Sequence, residues 1–83
     1  MKRIKELQIL ILKDIRDFYT PGGIMSSAMS FEGYTADEIS YNLRLLINEG
    51  YVKIWSDTTT HGDSCRTYLI DMLTTRGHNL IED

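Results

Sequence analysis

The chain of 83 residues has one cysteine, one proline and one tryptophan, and it lacks any long uncharged apolar run. Each scarcity excludes a class of protein. A lone Cys65 cannot close an intramolecular disulfide, which removes the disulfide-stapled secreted scaffolds and points to a reducing, cytoplasmic setting. Lys2, Arg3 and Lys5 have the look of an export-signal start, but the apolar run from Ile9 to Leu12 stops at Lys13-Asp14, too short for one. A membrane span requires about 18 apolar residues, so no membrane partner is expected. Glycine-rich phosphate loops and paired carboxylates at catalytic spacing are missing too, which argues against an enzyme and against a bound cofactor.

What is present suits one globular domain over residues 1–83, with 42% hydrophobic and 25% charged residues, and excludes disorder. A chain this short buries a limited share of its surface, and self-association is a common remedy. The formal charge is −3, which weighs against strong nucleic-acid binding because DNA affinity comes largely from neutralised phosphates. The charge is unevenly spread. Lys2, Arg3, Lys5, Lys13 and Arg16 outnumber Glu6, Asp14 and Asp17 in the first 20 residues, leaving four basic against nine acidic residues beyond.

From Lys2 to Tyr19 the apolar residues Ile4, Leu7, Leu10, Ile11, Ile15 and Phe18 recur every three or four positions and predict an amphipathic helix. Ile9 and Leu12 widen its apolar side, so a homodimer through this helix is one expectation. Thr20-Pro21-Gly22-Gly23 ends it. Residues 24–34 carry no sustained period; Met25, Met29 and Phe31 suit a short extended piece against the core. Thr35 with Glu38 forms a capping-box signature, opening a helix from Ala36 to Glu49 with Ile39, Leu43, Leu46 and Ile47 inward and Gly50 as its stop. Tyr51 to Trp55 and Thr67 to Ile70 have strand character and predict a hairpin around the polar stretch Ser56 to Arg66. Thr74 is placed to cap a last helix, Thr75 to Glu82, with Leu73, Leu80 and Ile81 as its apolar contacts.

Helix, capped helix ending in Leu45-Leu46-Ile47-Asn48-Glu49-Gly50-Tyr51-Val52, hairpin, and Leu73-Thr74-Thr75-Arg76-Gly77-His78 together resemble winged helix-turn-helix regulators. The resemblance implies an α+β, winged-helix fold in which the helix from Ala36 is the recognition helix and the hairpin the wing. More narrowly, Pro21-Gly22-Gly23, Gly33-Tyr34-Thr35 with Glu38-Ile39, Tyr41, Leu45-Leu46, Gly50 and Gly77-His78 resemble a family of small phage and prophage proteins catalogued as domain of unknown function 2513. That resemblance covers residues 2–82 and implies a phage origin and a fold, with no mechanism attached. The chain departs from the family pattern in having Asn42 where histidine is usual and Thr75-Arg76 where tryptophan often precedes the glycine.

In a DNA complex, Ser40, Tyr41, Arg44 and Asn48 would face base edges in the major groove. Lys2, Arg3 and Lys5, which oppose the dipole at a helix N-terminus and so add nothing to helix stability, would face phosphates with Lys53, His61 and Arg66 of the wing. Asp37, Glu38 and Glu49 stand against this on the same helix. The rival expectation is a winged-helix module that binds a host or phage protein and not DNA, with Tyr41, Tyr51 and Trp55 as aromatic anchors if they emerge together. His61, Asp63 and Cys65 alternate suggestively, but with only His78 to add they fall short of a structural zinc set, and no metal is expected.

Overall fold

The computed structural model describes residues 2–59 and 66–82, with 57–59 and 66 in backbone only. Along the chain run α1 (Lys5–Asp17), β1 (Ile24–Met25), a 3₁₀ turn (Ser26–Ala28), α2 (Ala36–Asn48), β2 (Val52–Thr59), β3 (Arg66–Leu73) and α3 (Thr75–Ile81). The three strands form one antiparallel sheet in the order β1-β3-β2, and the helices pack against it. This is a small α+β domain with a winged-helix-like arrangement. The helix that would precede a recognition helix is reduced to the 3₁₀ turn. Buried Ser26 fixes that turn by accepting the Tyr68 N–H at 2.8 Å, which extends the β3 hydrogen bonding just past the two residues of β1.

Leu7, Ile11, Leu12 and Ile15 of α1, Ile39, Leu43 and Leu46 of α2, and Val52, Tyr68, Ile70 and Leu73 of the sheet make the core, with Met29 at its edge. The helix α1 is shorter than its periodicity predicts, and its phase differs. Leu10 is 39% and Phe18 65% exposed, while Gln8 is buried in their stead. The physical reason is a polar group on the neighbouring helix. Asn42 is fully buried; its Oδ1 accepts the Ile4 N–H at 2.8 Å and the Gln8 Nε2 at 3.4 Å. Its Nδ2 donates to the Glu38 carbonyl at 2.9 Å and to the Lys2 carbonyl at 3.4 Å. Both lone pairs and both amide protons therefore have partners. Since Ile4 provides no side-chain cap to α1, α2 supplies one from outside, and Gln8 must face inward to reach it.

The start of α2 forms as its sequence predicts: Thr35 Oγ1 accepts the Glu38 N–H at 3.1 Å and Glu38 Oε1 accepts the Thr35 N–H at 2.9 Å. Its end is also as expected, with Gly50 at φ +85°, a left-handed conformation that side chains disfavour. The strands extend further than their alternating cores, and two irregularities interrupt the pairing. Asp71 on β3 and Trp55 on β2 are the residues without a counterpart across the ladder. Bulges strengthen local twist; Trp55, on the same alternating face as exposed Lys53, is 61% exposed.

The Leu73-Thr74-x-x-Gly77 segment has a structural purpose. The Thr74 hydroxyl donates to the Gly50 carbonyl at 2.6 Å and accepts the Gly77 N–H at 3.1 Å, while the Thr74 N–H reaches the Tyr51 carbonyl at 3.1 Å. One threonine thus caps α3 and clamps it to the turn that ends α2. Gly77 lies so close to that turn that a Cβ would overlap the Tyr51 carbonyl.

Two stability outcomes follow. Helix propensity alone would make Gly77→Ala stabilising by about 1 kcal/mol; the overlap reverses the sign, and a loss of about 2–4 kcal/mol is expected in urea unfolding. Asn42→Leu, similar in size but unable to pair with the Ile4 N–H, is expected to cost about 2–3 kcal/mol. A neutral result there would mean that α1 does not depend on its external cap.

Candidate nucleic-acid interface

Asp37, Tyr41, Arg44 and Asn48 recur along α2 at the spacing of one helical face, opposite the buried Ile39, Asn42, Leu43 and Leu46. Arg44 and Asn48 are exposed, while Ser40 and Tyr41 are half-buried. The Arg44 guanidinium lies over the Tyr41 ring, 5.4 Å from its centroid, a stacking that holds a long side chain in place at small entropic cost.

Glu38 and Glu49, which weighed against this helix, are already engaged. Glu38 is part of the capping box. Glu49 takes both prongs of Arg3, at 2.6 and 3.0 Å, a bidentate geometry that favours guanidinium over ammonium. Hydrogen bonding to Arg3 holds the Glu49 carboxyl below its ordinary range. Arg3, expected from the sequence to face phosphate, therefore reaches this surface as half of an ion pair and remains 50% exposed.

The surface continues past Glu49 to residues that sequence reasoning did not single out for DNA. The Arg76 guanidinium sits 4.7 Å from the Tyr51 ring centroid, and its Nη2 donates to the Tyr51 hydroxyl at 3.3 Å. Tyr41 and Tyr51 both lie near enough to Arg3 to bear on its charge, and Arg76 bears on that of Glu49. Arg44, Tyr41, Arg3, Glu49, Tyr51 and Arg76 thus form a band of three cations, two aromatic rings and one carboxylate. They come from the N-terminal segment, α2, the turn after it and the first turn of α3. The spacing of Tyr41 and Arg44 is visible in the sequence; the meeting of Tyr51 with Arg76 is made by the Thr74 clamp and carries no local signature.

The remaining candidates are dispersed. Lys2 and Lys5 are exposed, and Lys5 lines a concavity beside α1 with Glu6, Ile9, Leu10 and Tyr34. Lys53 Nζ lies 3.8 Å from Asp71 Oδ2, so the bulge residue partly answers its charge. His61 lies outside the described residues, as do Asp63, Cys65 and the side chain of Arg66. His78 lines a second concavity with Ile15, Arg16, Tyr19, Met72 and Leu73, its Nδ1 3.9 Å from Glu82 Oε1. No metal-binding group of three or more His, Cys, Asp or Glu side chains occurs among the described residues, and no helix among them is long and apolar enough to cross a membrane. Trp55 is exposed on the hairpin, while Tyr41 and Tyr51 are half-covered by their arginines.

The Arg3–Glu49 pair sets a pH dependence. A carboxyl with a lowered folded-state value contributes stability above its ordinary range and loses it as pH falls through the folded value. Glu49→Gln is therefore expected to lower Tm slightly at neutral pH, with the gap to the wild type closing on acidification through the carboxylate range, as followed by circular dichroism. A gap that is the same at every pH would mean the pair contributes nothing through charge.

None of the family models, curated proteins or solved structures compared with this chain matches it.

Proposed function

We propose that this domain binds double-stranded DNA, as a transcription-associated winged-helix protein of the phage-derived kind its sequence resembles. The observation that carries the proposal is the arginine–tyrosine band: three guanidinium groups gathered around Glu49, with Asp37 one turn back along the α2 face, on a chain whose formal charge is −3. Concentrating cations on one face gives an acidic protein a local electrostatic footprint for phosphates. In this reading α2 enters the major groove. Arg44 pairs with guanine, Asn48 with adenine, and Tyr41 and Ser40 complete the base-edge contacts. Arg3, Arg76, Lys2, Lys5 and Lys53 lie toward phosphates, with His61 and Arg66 extending the contact along the wing.

The alternative is a module that engages a host or phage protein. It is favoured by the overall acidity and by Trp55, a large aromatic side chain 61% exposed and of the kind that anchors protein interfaces.

Fluorescence anisotropy with mixed-sequence duplex DNA separates the two. Binding is expected at low salt and weakens steeply as salt rises. Arg76→Ala should reduce the salt slope by about 1 with little change in sequence preference, whereas Arg44→Ala should cost about 1–3 kcal/mol and relax the preference at one base position. Glu49→Gln, which frees Arg3, should tighten binding. Absence of binding at low salt would reject the DNA reading and leave the protein-binding module.

A further inference from the structure

The outer face of α1 carries a pattern that the fold does not use. Glu6 and Lys13 are exposed, Leu10 is 39% exposed, and Ile9 is half-buried but outside the core cluster. These four positions, spaced i, i+3, i+4 and i+7, follow the seam by which one helix packs on another. Glu6, Ile9 and Leu10 line, with Lys5 and Tyr34, the open concavity of about 570 Å³ beside α1, and Lys13 continues the same face one turn on. We propose that this strip is a homodimer interface in which α1 of one copy lies antiparallel to α1 of a second, with the two-fold axis between Ile9 and Leu10.

The occupant and its direction follow from charge. The midpoint of Glu6 and Lys13 coincides with the midpoint of Ile9 and Leu10, so reversing the strip gives the same apolar centre with the end charges exchanged. Seven residues bring a helix back to within about 20° of the same azimuth, which puts Glu6 and Lys13 on one line along the middle of the face. Ile9 and Leu10 fall on either side of that line. A two-fold axis through the midpoint then sets Glu6 level with Lys13 of the second copy, and Lys13 level with its Glu6. Each Ile9 meets its own counterpart on one side of the axis, and each Leu10 meets its own on the other. A parallel arrangement would set Glu6 against Glu6 and Lys13 against Lys13, so the order of charges selects the antiparallel one. The contact is short, since α1 has 13 residues. A weak dimer is expected, with Kd on the order of 10–100 μM.

Sedimentation equilibrium over that concentration range tests the proposal by charge exchange. Glu6→Lys and Lys13→Glu, each changing an exposed residue and affecting two symmetric pairs, should weaken self-association by roughly tenfold or more. The double variant Glu6→Lys/Lys13→Glu should recover most of the wild-type affinity. An equimolar mixture of the two single variants should form a heterodimer that neither forms alone. Leu10→Glu should leave a monomer with an unchanged far-ultraviolet circular dichroism spectrum. A wild type that stays monomeric up to about 1 mM, or a double variant no better than the singles, would overturn the proposal. So would dimerisation indifferent to all four changes, which would place the interface elsewhere. DNA binding does not enter these measurements, so their outcome is independent of the proposed function.

Discussion

The buried amide of Asn42 is the constraint on which the arrangement of this domain depends. A helix begins with N–H groups that have no internal partner, and α1 has no side-chain cap of its own. Asn42 meets that need from the facing helix and draws Gln8 into the same network. The rotational setting of α1 follows from this. With Ile4 and Gln8 held toward α2, Leu7, Ile11 and Ile15 turn into the core and Leu10 turns out. The same tether at the Lys2 carbonyl brings the N-terminal segment alongside α2, so that Arg3 reaches Glu49 on the far end of that helix. The setting of α1 in the core, the place of Arg3 in the arginine–tyrosine band and the outer strip of α1 follow from where one side-chain amide sits. Because buried polar groups are costly when unpaired, the network permits little slippage.

Electrostatics in so small a protein are decided by which carboxylates are engaged. Glu38 closes a capping box, Glu49 answers Arg3 and Asp17 answers Arg16. Asp14 is the contrary case: desolvation and the nearby Asp17 push its carboxyl above the ordinary range, and it sits in the second half of α1, where the helix dipole disfavours negative charge. A formal charge of −3 therefore says little about any one face. The acids of α2 are largely occupied with holding the helix, and the guanidinium groups beside them remain turned to solvent over aromatic rings.

The features legible in the sequence were those encoded locally. Thr35 with Glu38, Gly50, and Thr74 in its capping of Gly77 act through neighbours within a few residues, so that chemistry can be read along the chain. The hairpin and the order of elements follow from alternation and turn residues. The phase of α1 was not legible, because Leu10 and Phe18 satisfy helical periodicity as well as Gln8 violates it, and only Asn42, distant in sequence, decides between them. The extra residues at Trp55 and Asp71 are likewise invisible, since a bulge is a property of two paired strands. For the candidate interface, Arg44 and Tyr41 announce themselves by spacing. Arg76 does not, because its partner Tyr51 is brought to it by Thr74 and by a glycine whose missing Cβ permits the approach.

The exposed indole of Trp55 on β2 gives the domain an intrinsic optical label. It is the chain's single tryptophan, so all indole fluorescence originates at one address on the hairpin. A solvated indole emits at longer wavelength than a covered one. A partner that settles over the wing would therefore shift the spectrum, whereas one confined to the outer strip of α1 would leave it unchanged, and the molecule distinguishes its own faces without an added dye.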